Sequence, residues 1–275
     1  MIWQAHADVK KPTPCPLCLE DKNAVSSHLI PQAMYDYCRS TDSEPVIMTS
    51  RVVMQTSRQV QHPLLCRDCE DVLNKGGENW LLPLLATMDK KFPLLDIIER
   101  FQPDVVDGEL RMYAASRNPA IEIDKLIHFA MGVFWKASIH SWEGGSKTPR
   151  IELGPYGESV RAFLRGETLF PKNMGLILSA TPREKALVSF SLPYRNPVSE
   201  FHSFTFHVPG LLFVLSVGKN LGADVPRVCF GTNPAHPILV ADLAQDIASV
   251  GASIFGKAHK SRKLIEYMGR KNPSR

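Results

Sequence analysis

The chain has 275 residues, 44% of them hydrophobic and 22% charged, enough to bury one large core or two unequal ones. No run of about eighteen apolar residues is present, and the start MIWQAHADVKKPTP lacks the apolar stretch of a secretory leader, so a cytoplasmic protein without a membrane partner is expected. The net charge of +4 is uneven: residues 1–92 hold 10 Lys+Arg against 11 Asp+Glu, residues 93–256 hold 15 against 16, and residues 257–275 hold 7 against 1.

Taken in chain order, residues 1–92 hold two C-x-x-C pairs and many turn residues. Residues 93–170 read as mainly helical. In LIHFAMGVFWKASIHSW, after Ile123-Asp124, Leu126, Phe129, Val133, Phe134 and Ala137 recur at three- and four-residue steps, and Gly144-Gly145 ends the helix. A second helix covers Gly157 to Leu164 and stops near Gly166. Short β-rich runs follow at 174–180, 186–192, 202–208 and 211–217, the last two joined by the turn pair Pro209-Gly210. VADLAQDIASVGASIFGKAHKS reads as a late helix with Asp242 near its first turn, and the basic end either meets phosphate or solubilises a last helix. Strands in a row between helices indicate an α+β fold rather than alternating α/β. Two domains are expected: 1–92, a zinc-binding unit, and 93–275, a larger α+β domain with helices first, an antiparallel sheet next and a basic C-terminal helix or tail.

Six cysteines are too few for a disulfide scaffold of this length. Cys15-Pro16-Leu17-Cys18 and Cys66-Arg67-Asp68-Cys69 have zinc-knuckle spacing, in which two thiolates reach one tetrahedral ion. Four thiolates leave no open position, so the zinc is expected to be structural. The bland alternative is two reduced or redox pairs, but neither sits between a strand and a helix of a βαβ unit. Cys38 and Cys229 read as packing thiols, Trp80 and Trp135 as core, and His128 and His140 as packing residues.

The order C-x-x-C, then Ser26-Ser27-His28-Leu29-Ile30-Pro31, then Leu64-Leu65-Cys66-Arg67-Asp68-Cys69-Glu70, resembles the HNH (His-Me finger) endonuclease superfamily. It is most similar to bacterial HNH-like proteins with S-H-I-I-P and C-x-x-C-E motifs. The likeness covers roughly residues 12–82, with weaker echoes at Phe129–Trp135 and Tyr156–Gly166. It implies a zinc-stapled ββα (treble-clef) unit, with His28 as the general base that takes a proton from water attacking a phosphodiester. It also implies one catalytic magnesium or manganese ion. The usual ligand positions hold Ser27 and Glu70 here, so Glu70 would hold the ion, with Asn74 one turn on. Glu78 falls beyond Gly76-Gly77, which read as the helix end. The superfamily's middle Asn has no clear match, Gln61 or His62 being nearest by position. Arg67 and Lys75 are candidates to contact nucleic acid.

Two functions are carried forward. One is a metal-dependent endonuclease, DNA ahead of RNA as substrate, of the kind found in bacterial defence. The other is a catalytically inactive zinc-stapled module that binds nucleic acid or protein, favoured by the missing Asp before His28 and by the absence of surplus positive charge in residues 1–92. A second copy or a partner protein at residues 93–275 is left open by the sequence.

Overall fold

The computed structural model describes residues 13–49, 51–143, 147–148, 150–196, 199 and 202–271. The leader reading of the first twelve residues and the helix stop at Gly144-Gly145 lie outside them. Two dipeptide strands, β1 (Thr13–Pro14) and β2 (Asp21–Lys22), pair antiparallel around the first cysteine turn. β3 (Ala24–His28) leads through helix α1 (Gln32–Tyr37) to the hairpin β4 (Val46–Met48) and β5 (Val52–Gln55). β6 (Gln61–Cys66) returns antiparallel to β3 and runs directly into α2 (Arg67–Leu73).

The helix does not end at Gly76-Gly77. It passes through one π-helical turn, Asn74–Glu78, into α3 (Asn79–Leu85). Glycine is needed there for closeness rather than for termination. A Cβ on Gly76 would lie 2.2 Å from the His128 ring, and one on Gly77 2.4 Å from the Lys125 carbonyl oxygen. Glu78 therefore stays on the helix and faces the next layer.

After α4 (Pro93–Glu99) comes a hairpin, β7 (Val105–Asp107) and β8 (Leu110–Ala114), inside the region read as mainly helical. Its turn places Gly108 at φ +58°, a conformation that glycine adopts without strain. The long helix α5 (Ile123–Ile139) is buried almost all round, as expected of a helix with neighbours on both sides. The short ladder β9 (Trp142–Glu143) and β10 (Lys147–Thr148) precedes α6 (Gly157–Leu164).

β11 (Met174–Ala180) begins the central strands. The expected strand at 186–192 is not one. Ala186, Val188, Phe190 and Leu192 pack on the core at every second position, but the bonds to β13 are confined to His207, from the Ser191 amide and hydroxyl and the Ser189 hydroxyl. Apolar alternation is thus met by an extended cover segment that makes no ladder. β12 (Tyr194–Arg195), β13 (Ser203–Val208) and β14 (Leu211–Val217) follow, the last two as the hairpin expected at Pro209-Gly210. Then come α7 (Val225–Val228), β15 (Pro237–Val240), α8 (Leu243–Lys257), β16 (His259–Lys260) and α9 (Arg262–Lys271). Asp242 caps α8 by accepting the Gln245 N–H at 3.3 Å.

The result is mixed α+β with several sheets. The largest has the order β12-β13-β14-β11-β15-β8-β7 and is antiparallel except between β11 and β15. α5 lies between that sheet and the cysteine unit. On one side Phe134 meets Phe206 at 4.9 Å between ring centres and Phe129 meets Phe213 at 5.9 Å; on the other side sit Leu73 and the two glycines. The main apolar cluster runs through both sides of residue 92. The C-terminal end closes back on the β4–β5 hairpin: β16 pairs parallel with β5, and Ala258 and Leu264 pack on Val53. Lys263 pairs with Glu44 at 2.6 Å, while Lys271 pairs with Asp42 and Arg262 with Glu266. Two lysines of the basic end thus face acids of the first region. No helix among the described residues is long and apolar enough to cross a membrane.

Candidate metal centre and the histidine beside it

The Sγ atoms of Cys15, Cys18, Cys66 and Cys69 all lie within 4.8 Å of one another, and three of the four residues are buried. Local backbone geometry sets this up. The amide of Cys15 donates to Glu20 O at 2.9 Å and that of Leu19 to Cys15 O at 2.7 Å, with Leu19 in the left-handed region at φ +65°. That curl turns both thiols of the first pair inward. The second pair straddles the junction of β6 and α2.

Cys18 Sγ lies 3.9 Å from Cys66 Sγ, too far for a disulfide of about 2.05 Å. Four bonds of about 2.3 Å arranged tetrahedrally put neighbouring sulfurs about 3.8 Å apart, so the spacing fits a four-thiolate metal site. The Cys66 amide also donates to Cys15 Sγ at 3.3 Å. At Cys15 burial opposes ionisation, but the backbone N–H groups of Cys18, Cys66 and Leu17 outweigh it and bring the thiol down to about 7. Cys69 is driven far up by burial and by the thiols around it. Sulfurs this crowded cannot all ionise unless a cation sits among them. Four cysteines close enough to hold one metal ion are therefore a feature of the structure.

β3 sets the next residue. A bulge between Val25 and Ser26 shifts the β3–β6 register. Ser27, fully buried, fills the gap: its hydroxyl accepts the Leu65 N–H at 3.2 Å. Ser27 thus repairs the ladder, in the place where the resemblance expected a metal ligand. His28, the last residue of β3, is half-buried, and its Nε2 donates to Gln59 Oε1 at 2.7 Å. That bond fixes the tautomer and leaves the lone pair on Nδ1.

Arg67 at the start of α2 and Lys75 in the π-helical turn after it are exposed. Glu70 carries a buried carboxylate oxygen, Oε1, with no hydrogen-bond partner. Asn74 lies one turn further on. Among the described residues, no hydrogen bond or ion pair joins His28 to Glu70 or Asn74. Among the described residues, the cysteines are the one group of three or more His, Cys, Asp or Glu side chains in metal-holding range.

Two residues outside the sequence-derived set are tied to His28. Lys136 of α5, only 2% exposed, donates from Nζ to the His28 carbonyl at 2.8 Å and pairs with Glu78 Oε1 at 3.2 Å. Its own carbonyl accepts the Trp142 indole N–H at 3.0 Å. A lysine three residues after Val133 and seven after Phe129 falls on the apolar face of the helix; that position was the available signal. Gln59, by contrast, left no pattern in the sequence.

Beside this hub opens a groove of about 610 Å³. Ser57, Arg58 and Gln59 line it from the approach to β6, Gln61 and His62 from β6 itself, and His140 and Ser141 from the end of α5. The rings of His62 and His140 stack at 4.0 Å, and His140 meets Trp142 edge-on at 5.2 Å. His140, expected as a packing residue, thus lines a surface, whereas His128 is buried against Gly76 and bonds the Leu164 carbonyl at 3.2 Å.

No protein-family model, curated protein or solved structure matches the chain.

Proposed function

We propose that the chain is a zinc-stapled endonuclease of the HNH kind that hydrolyses phosphodiester bonds in nucleic acid, with His28 as its general base. The observation that carries this reading is the double fixation of His28, ring by Gln59 and carbonyl by Lys136. A base must be held in one tautomer and one position to be useful, and this imidazole is held in both respects. Lys136 does for the histidine what the superfamily's middle Asn does by resemblance, which would explain why neither Gln61 nor His62 matches it.

Zinc is the metal that suits four buried thiolates, and with every position taken it holds the β3–β6–α2 unit together and takes no part in the reaction. A magnesium or manganese ion would be held by the orphaned carboxylate of Glu70, with Asn74 next to it. Bound there, it would supply charge neutralisation at the phosphate. His28 Nδ1 accepts the proton of a water molecule whose oxygen forms a bond to phosphorus as the bond to the departing oxygen breaks. Lys136 keeps the end of β3 from withdrawing, and Glu78 balances its charge.

The second reading, an inactive module on the same scaffold, is favoured by one observation: Ser27 is turned into the ladder and offers no ligand. Plasmid nicking with magnesium or manganese separates the two. His28→Ala is expected to lower the rate by roughly 10²-fold or more. Cleavage that survives the substitution removes His28 from the mechanism. Nucleic-acid binding without cleavage under any divalent metal supports the module, and no binding at all supports a role in protein interaction.

A further inference from the structure

The groove beside His28 has a chemical bias that its composition alone does not reveal. None of its lining side chains is acidic, and all carry hydrogen-bonding groups: one guanidinium, two imidazoles, two hydroxyls and two carboxamides. Both carboxamide oxygens are engaged within the protein. Gln59 Oε1 already accepts from His28 Nε2 at 2.7 Å, and Gln61 Oε1 accepts from the Ser26 hydroxyl at 3.0 Å. Each oxygen thus spends one of its two lone pairs inside the protein, and each NH₂ group can only donate. With a guanidinium and no carboxylate, the lining favours a ligand that brings acceptors and negative charge.

The groove also offers an aromatic element. The His62–His140 stack is braced edge-on by Trp142, whose indole N–H is held by the carbonyl of Lys136, the residue whose ammonium holds His28. One residue, through its backbone carbonyl and its ammonium, thus connects the groove to the proposed base.

From this geometry we infer that the groove seats one nucleotide of a single-stranded nucleic acid, with its phosphate on Arg58 and the amide donors and its base against the imidazole pair. The inference rests on the nuclease reading for the class of ligand and adds the form in which the strand is held. A duplex seals its bases in the stack and is gripped chiefly by many cations along two backbones. Here there is one guanidinium in a groove of about 610 Å³, enough room for one nucleotide, beside a ring pair that only an unstacked base can use. Of the cations at the basic end, Lys263, Lys271 and Arg262 are paired with acids.

The test is fluorescence anisotropy of a short labelled oligodeoxythymidine, added to zinc-loaded protein without magnesium or manganese so that no strand is cut. The oligonucleotide is expected to bind more tightly than a duplex of the same length and to resist competition by inorganic phosphate. Arg58→Ala and His62→Ala, both at exposed residues, are each expected to weaken binding roughly tenfold, the worth of one stacked base or one phosphate contact. Gln61→Glu, which sets a carboxylate among the donors, is expected to weaken it at least as much. Arg227→Ala, an exposed cation outside the groove, is expected to leave binding unchanged. Equal binding by the three groove variants, an equal loss in Arg227→Ala, a duplex bound as tightly, or displacement by phosphate alone would each overturn the inference. Groove-dependent binding without plasmid cleavage would defeat the nuclease reading and keep the groove. Cleavage indifferent to Arg58→Ala and His62→Ala would do the reverse.

Discussion

The cysteine unit and the seven-stranded sheet solve the same problem with different materials. In the sheet, β11 and β14 pair over seven residues each, and Leu176, Leu178, Phe213 and Leu215 are completely buried. In the cysteine unit β1 and β2 are two residues long, β3 is interrupted by a bulge, and half of β6 is exposed. Apolar area is sufficient to order the first region. The second also sends Leu17, Leu29, Ile30, Met34 and Leu65 into the main cluster, but its strands are short and polar, and four thiols placed to hold one ion would add ligand bonds where the ladders are weak. The lesson is that the region with the weaker fold carries the candidate chemistry, where backbone groups, a lysine and a groove can be exposed to water.

The strongest way to break this comparison is to remove the metal. Cys69→Ser is expected to abolish stoichiometric zinc and unfold the cysteine unit, since structural zinc is worth about 10 kcal/mol or more in small domains. Amide exchange should show β3 and β6 losing protection while β11 and β14 keep theirs. Equal loss in β14 would mean that the two regions unfold as one.

A smaller effect is expected at the contact between them. Lys136→Met leaves Glu78 without its partner and is expected to cost about 3–5 kcal/mol in urea unfolding. Adding Glu78→Gln should recover most of it. A cost in the single variant below about 1 kcal/mol would show that Lys136 does not bind the regions together.

The smallest effect lies in the sheet. His207 of β13 sits 3.1 Å from Ser189 Oγ, and burial pushes its imidazole down to about 4. The unfolded chain, titrating near 6.5, binds more protons between those values, so stability rises with pH there. The contribution is present above about pH 6.5 and lost as pH falls toward 4, on the order of 3 kcal/mol in all. His207→Gln should flatten that slope in thermal melts, and an unchanged slope would assign it to another group.

What could be read from the sequence follows the same division. α5, α6, α8 and the β13–β14 hairpin were legible because long apolar periods and a Pro-Gly turn have few alternative uses. The thiol set was legible because two C-x-x-C pairs in a chain without other cysteine pairs have few explanations. The β7–β8 hairpin was missed because its residues are largely exposed, so no apolar run marked it. The segment 186–192 has the alternation of a strand, and the pattern reports which side chains face inward, without saying whether the backbone pairs. Gly76-Gly77 misled because glycine marks both helix ends and close helix approaches, and only the neighbouring α5 distinguishes them. Lys136 and Gln59 reach His28 across 108 and 31 residues, contacts that no local pattern encodes.

The docking of β16 and α9 on the β4–β5 hairpin sets an order of events during synthesis. The four thiols are available for closure once residue 69 has left the ribosome. The hairpin between them remains unfinished, because β5 waits for His259 and Lys260, and Val53 waits for Ala258 and Leu264. Nascent chains released before those residues emerge would carry a closed thiol cluster with an open strand edge beside it, so this part of the protein matures only after residue 264 has emerged.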